Sequence, residues 1–192
     1  MLVALDRFGR EMGSHRVRPE IAEVSPSVLG GSLIDITLAD GGDDDRLSLG
    51  ARRIWETWYQ GFPTTPDQWA SLDTRGRAEW LDLVRPRPDG EPDRTGGTRH
   101  LDGRFITDKP GFYCALGEAL IGPGRWFGRG LDDLDDCLGG RRGVVGPFTL
   151  IWHDADIARH ALNFTLDHGG KLTYFEGVLR LLESRGVAVI LR

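Results

Sequence analysis

The sequence predicts an α/β fold in its C-terminal half: a small three-stranded parallel sheet with helices packed on it, preceded by a small α+β region over residues 1–85. Two observations carry this. Beyond residue 97, short apolar strands alternate with helical stretches, and parallel neighbours require such crossovers. Between the halves, Pro86 to Gly97 (PRPDGEPDRTGG) offers only Pro, Gly, Thr and charged residues, with nothing apolar to bury, so it reads as a linker. The expected division is therefore 1–85, a linker at 86–97, and a domain at 98–192.

The N-terminal region is β-rich over 1–40 and helical over 51–85. LVALDRFGREMGSHRV reads as a hairpin turning between Asp6 and Gly13. Ile21 to Val24 and Leu33 to Leu38 are further strands, with Ile34, Ile36 and Leu38 on one face. Ala39 to Gly50 (ADGGDDDRLSLG) is acidic and Gly-rich and reads as a surface loop. From Ala51 to Arg85 the spacing turns helical, with Ile54, Trp55, Trp58 and Tyr59 three and four apart. Pro63 and Pro66 interrupt, and short helical pieces continue through Asp67, Trp69, Leu72 and then Ala78 to Val84. The tryptophans of this region read first as core, with a second binding surface as the alternative.

In the C-terminal half, Thr98 to Leu101 is a short strand. Lys109 to Leu120 is a helix with Pro110 in its first turn. Leu131 to Leu138 is a short helix stopped by Gly139-Gly140. Phe148 to Trp152 is a buried strand, Asp154 to Leu162 and Lys171 to Ser184 are helices, and Val187 to Leu191, after Gly186, is a final apolar strand.

Composition narrows the function classes. The chain is 192 residues long, 40% hydrophobic, 28% charged and carries a formal net charge of −5. Bulk electrostatic binding of nucleic acid wants the opposite sign. The two cysteines, Cys114 and Cys137, form no CxxC and indicate neither a disulfide framework nor a zinc knuckle. No signal-like start and no membrane-length apolar run is present, which places the expected location in the cytoplasm, with no membrane partner.

The informative stretch is Trp126 to Gly140, WFGRGLDDLDDCLGG. On the helix it contains, Leu131, Leu134 and Leu138 form a buried stripe, with Cys137 half buried beside them. Asp132 lies next to Asp135 and Asp136 on the other side. Asp132 and Asp133 suit the positive N-terminal end of a helix. Asp135 and Asp136 sit where the dipole disfavours negative charge. A solvated helix face is one reading; a surface built for a cationic partner is the other.

This stretch resembles the signature of the barstar family, whose members inhibit barnase-type ribonucleases. The family frame is two tyrosines and a Gly, then Leu-Asp, then Trp-Asp-Cys-Leu and Thr-Gly. Here it reads Trp126-Phe127-Gly128, Leu131-Asp132 and Asp135-Asp136-Cys137-Leu138. The helix ending near Leu120, the turn at Pro123, the strand with Trp152 and the final helix-Gly186-strand follow in matching order, so the resemblance covers about residues 97 to 192. It implies a barstar-like α/β fold, no enzymatic activity, no cofactor and no metal. The implied partner is a secreted or toxin ribonuclease with a basic active-site cleft, into which helix-borne carboxylates fit in place of RNA phosphates. That family's complex is itself a reference case for electrostatic steering and for a hot spot built on one carboxylate.

By frame, the resemblance implies Asp136 as the central carboxylate, Asp132 as the second acidic contact and Trp126 as the ring covering the cleft. Gly128, Gly130, Gly139 and Gly140 fall where backbone approaches the enzyme, and Asp135 lies within the same contact surface. Several positions depart from the family. Asp135 and Arg141 stand where tryptophans are common, Gly130 replaces an Asn, Leu181 falls where some members carry an acid, and GPGRWFG has an extra residue. WETWYQGFPTTPDQW and AEWLDLVR resemble extensions of actinobacterial barstar-family proteins. An immunity protein for a different toxin, or a reused interaction module, is the alternative function.

Other candidates are weaker. His153, Asp154, Asp156 and His160 fit no familiar metal spacing; Asp154 reads as an N-cap and Asp156 with His160 as a helical pair. Gly122, Gly124 and Gly128 miss the dinucleotide fingerprint. Cys114 and Cys137 read as buried small apolar residues. A hydrolase would need a His or metal motif near the aspartates, and none is there.

Overall fold

The structure is a computed structural model; it describes residues 2–15, 20–28, 30–39, 49–84, 92–166 and 171–192. The chain forms two compact units, Met1–Gly61 and Phe62–Arg192.

In the first unit, β1 (Leu2–Leu5) and β2 (Glu11–His15) pair antiparallel, as the hairpin pattern predicts. The Asp6 carboxylate holds the turn by accepting the backbone N–H groups of Phe8 and Arg10, both at 2.9 Å. A second hairpin joins β3 (Ile21–Pro26) to β4 (Ile34–Leu38), and its register sets Val24 opposite Ile36. Helix α1 (Leu49–Tyr59) buries Ile54 and Trp58, one turn apart. Most of the expected acidic loop, residues 40–48, lies outside the described residues.

The second unit opens with turns over 65–72, where the sequence predicts short helical pieces. Helix α2 (Thr74–Val84) follows and buries Arg77, Trp80, Leu81 and Val84, a stripe at helical spacing. Then come β5 (Thr98–Asp102), α3 (Lys109–Leu120), α4 (Leu131–Leu138), β6 (Phe148–His153), α5 (Ala155–Ala161), α6 (Tyr174–Ser184) and β7 (Val187–Leu191). The three strands form one parallel sheet in the order β5-β6-β7, with Leu101 beside Trp152 and Leu150 beside Val189. Trp152, on the central strand, packs between Phe112 of α3 and Phe175 of α6, with ring centroids 5.4 and 5.2 Å away. This is the three-stranded parallel α/β arrangement expected of this half.

Three local details differ from expectation. Helix α6 starts at Tyr174 rather than Lys171, because Thr173 and Glu176 form a capping box. Asp154 occupies the N-cap position of α5 with φ +50°, and its side chain caps nothing. Asp156 pairs with Arg159 rather than His160.

The sequence places the division at 86–97, whereas the compact units divide at Gly61/Phe62. Helix α2 is the reason, since it packs on α3. The Arg77 guanidinium donates to Asp108 (3.1 Å), to the Thr107 hydroxyl (2.7 Å) and to the Ala70 carbonyl (2.8 Å). Asp108 is also the N-cap of α3, accepting the Gly111 N–H at 2.7 Å. Glu118 of α3 accepts the Asp67 N–H at 2.9 Å and so holds the preceding turns as well. Within the linker, residues 85–91 lie outside the described residues.

Candidate functional site: the acidic helix and its flanking loops

Helix α4 lies with Leu134, Cys137 and Leu138 buried and Asp132 and Asp136 exposed. Cys137 is fully buried, not half buried as expected. The helix has no side-chain N-cap, because Gly130 stands at that position. Acidic residues in the first turn, Asp132 and Asp133, offset the exposed N–H groups there. At the other end the Gly139 N–H bonds to the carbonyls of Asp135 (3.0 Å) and Asp136 (3.1 Å), closing the helix.

The segment before α4 is anchored from below. Phe127 is wholly buried and Trp126 is 5% exposed. Gly128 takes φ +101°, and a Cβ there would lie 3.1 Å from the Leu134 nitrogen, so the chain passes close under the first turn of α4. The Arg142 guanidinium lies 5.0 Å from the Trp126 ring centroid. Trp126, which the family frame names as the ring covering a cleft, is buried here, with the Arg142 guanidinium over its face.

The four aspartates of α4 separate into two kinds. Asp135 makes a two-pronged ion pair with Arg185, which follows α6, with both contacts at 2.6 Å. This guanidinium holds the Asp135 carboxyl below the usual carboxylate range. Asp133 lies 3.6 Å from Arg129, whose guanidinium also reaches Asp82 of α2 at 2.7 Å. Asp132 and Asp136 have no hydrogen bond or ion pair among the described residues. These two, which the family frame names as contacts, are the aspartates of α4 without a close partner among the described residues, although Arg185 lies near enough to Asp136 to interact with its charge. Asp135 has a counter-charge that the local sequence does not show.

Beyond α4, Asp93 fixes the next loop. Its carboxylate accepts the N–H groups of Arg141 (2.7 Å), Arg142 (3.1 Å) and Gly143 (2.9 Å), and these bonds keep it below the usual carboxylate range. Gly140 carries φ +119° beside this carboxylate, so Gly139 and Gly140 end the helix and turn the chain into a pinned loop. Sequence reasoning assigned Asp93 to a linker. Its partners are some fifty residues away, and no local pattern marks it.

The remaining candidates form no second site with α4. His153 hydrogen-bonds His100, ring nitrogen to ring nitrogen, at 2.9 Å. Among the described residues no group of three or more His, Cys, Asp or Glu is placed to hold a metal ion. Cys114 is buried, and burial pushes its thiol well up, away from nucleophilic use. Among the described residues no helix is long and apolar enough to cross a membrane.

The second unit is thus a small parallel-sheet α/β domain that displays exposed carboxylates on a short helix between two anchored loops. Residues 97–183 match the family model described as Barstar (barnase inhibitor), and this half of the chain is a barstar domain. The match begins after α2, so the helix that completes the second compact unit lies outside it. No curated protein matches the chain.

Proposed function

We propose that the protein inhibits a guanyl-specific microbial ribonuclease by placing Asp136 and Asp132 where RNA phosphates bind. The observation that carries this is the sorting of charge on α4. Asp133 and Asp135 are paired within the fold, while Asp132 and Asp136 are exposed and make no hydrogen bond or ion pair among the described residues, Asp136 feeling Arg185 only at longer range. Two exposed carboxylates without close partners, one of them, Asp136, near the end of the helix dipole that disfavours negative charge, gain from a cationic cleft. The barstar family match supplies the kind of partner, a barnase-type ribonuclease. The domain acts by occlusion, without catalysis and without a cofactor. The Arg142–Trp126 stack supplies the flank, and Gly130, Gly139 and Gly140 let the partner approach the backbone, whereas Gly128 is buried under the first turn of α4. Protection of a producing cell, as an immunity protein in the cytoplasm, is the role that fits such an inhibitor.

The test is a titration of the protein into barnase and other guanyl-specific microbial ribonucleases, following RNA cleavage, with Asp136→Ala alongside. The expected result is stoichiometric inhibition by the wild type. The variant should bind about thirtyfold or more weakly, about 2 kcal/mol, as hot-spot residues do. Equal inhibition by a folded Asp136→Ala would remove Asp136 from the site. No inhibition of any such ribonuclease would reject the reading.

A further inference from the structure

The charges around α4 leave one cation over as well as two anions. Of the arginines in this region, Arg129 is held by Asp82 and Asp133, Arg185 by Asp135, and Arg142 by the face of Trp126. Arg141 is exposed, and its guanidinium has no hydrogen bond, ion pair or ring contact among the described residues. Its backbone is nevertheless the most constrained of the set. It takes φ +69°, a conformation that non-glycine residues adopt rarely, and its N–H is fixed by Asp93 at 2.7 Å. A glycine would take this φ more easily, so nothing in the loop geometry calls for an arginine. Non-glycine residues held in costly conformations cluster at ligand clamps and other functional sites, and this one carries an exposed charged head.

We propose that the partner surface is of mixed charge: a cationic centre that takes Asp132 and Asp136, and a carboxylate on its rim that takes Arg141. This rests on the ribonuclease reading above and specifies which ribonuclease fits. Arg141 follows the Gly139-Gly140 turn at the end of α4, five residues after Asp136, and both are exposed. An arginine head pairs with a carboxylate in a fixed, two-pronged geometry, which makes it a selective contact. A uniformly basic rim would instead repel it, so the residue excludes some ribonucleases as well as selecting others.

The experiment measures Kd for the full chain and for Arg141→Glu, Arg141→Gly and Asp136→Ala against a panel of guanyl-specific microbial ribonucleases, barnase included. Thermal unfolding is recorded for each variant. For the ribonuclease that binds the wild type most tightly, Arg141→Glu raises Kd at least tenfold and Arg141→Gly at least threefold. Arg141→Gly unfolds no earlier than the wild type, which separates a lost contact from a damaged loop. Acidic residues on the rim of that ribonuclease are then changed to Arg one at a time, and one of them restores Arg141→Glu to within about threefold of the wild-type Kd. Variants at 141 binding within twofold of wild type, while Asp136→Ala loses affinity, overturn this inference and leave the inhibitor reading standing. Weakened binding that no rim change restores overturns the carboxylate assignment. If no ribonuclease binds the wild type, both readings fall together.

Discussion

Arg77→Ala tests whether the segment before the barstar match is part of the folded inhibitor unit. The Arg77 and Asp108 side chains are 8% and 15% exposed, so the pair is largely shielded from water. Removing one member of a buried pair costs about 3–5 kcal/mol, because the other charge stays buried. Asp108 keeps two partners here, the Thr74 hydroxyl at 2.7 Å and the Gly111 N–H at 2.7 Å, which places the loss at the lower end, about 3 kcal/mol. The lost donation to the Ala70 carbonyl and the lost stacking on Trp69, 5.4 Å away, act in the same direction. Urea unfolding of the full chain, followed by circular dichroism, reads this as a lower midpoint at unchanged slope. Arg77→Met combined with Asp108→Asn should recover more than half the loss, since the buried charge goes while packing and the helix cap remain. A loss under about 1 kcal/mol, the value of an exposed pair, would refute the docking of α2 on α3.

Two further outcomes follow from the site. The Asp135–Arg185 pair lowers the folded pKa of Asp135, so its stabilisation is present above the ordinary aspartate value of about 3.9 and is lost as pH falls through the lower folded value. Arg185→Gln should therefore reduce stability at pH 7 and shrink the difference from wild type below pH 4, read by urea midpoints across pH; a difference independent of pH would contradict the pairing. Gly117→Ala would drive a Cβ into the Arg125 carbonyl oxygen, forcing α3 and the segment before α4 apart. It should cost about 1–3 kcal/mol or more and weaken ribonuclease binding with it; an unchanged thermal midpoint would contradict the close approach.

Much of the second unit is legible in the sequence. Helices α3 and α4 have the bounds that Pro110 and Gly139 mark, and the alternation of strands and helices gives the parallel sheet. These signals are local, and local signals survive without tertiary information. The start of α6 is equally local, since Thr173 and Glu176 spell a capping box three residues apart, whereas the apolar pattern alone extends the helix back to Lys171. The rest depends on contacts between distant residues. Arg185 meets Asp135 across fifty positions, Asp93 pins a loop from within a Pro- and Gly-rich run, and Arg142 covers Trp126. The unit boundary is of the same kind: the stripe on α2 shows that the helix buries a face, and only the fold shows that α3 receives it.

The central claim is that the carboxylates of α4 occupy the phosphate site of a ribonuclease, and competition measures this most directly. Binding of the protein to a guanyl-specific microbial ribonuclease would be followed by calorimetry at rising concentrations of guanosine 3′-monophosphate. Mutual exclusion, with the apparent Kd rising in proportion to nucleotide once its site is saturated, is the predicted result. An apparent Kd unchanged by saturating nucleotide would show that the protein binds elsewhere and would contradict the account.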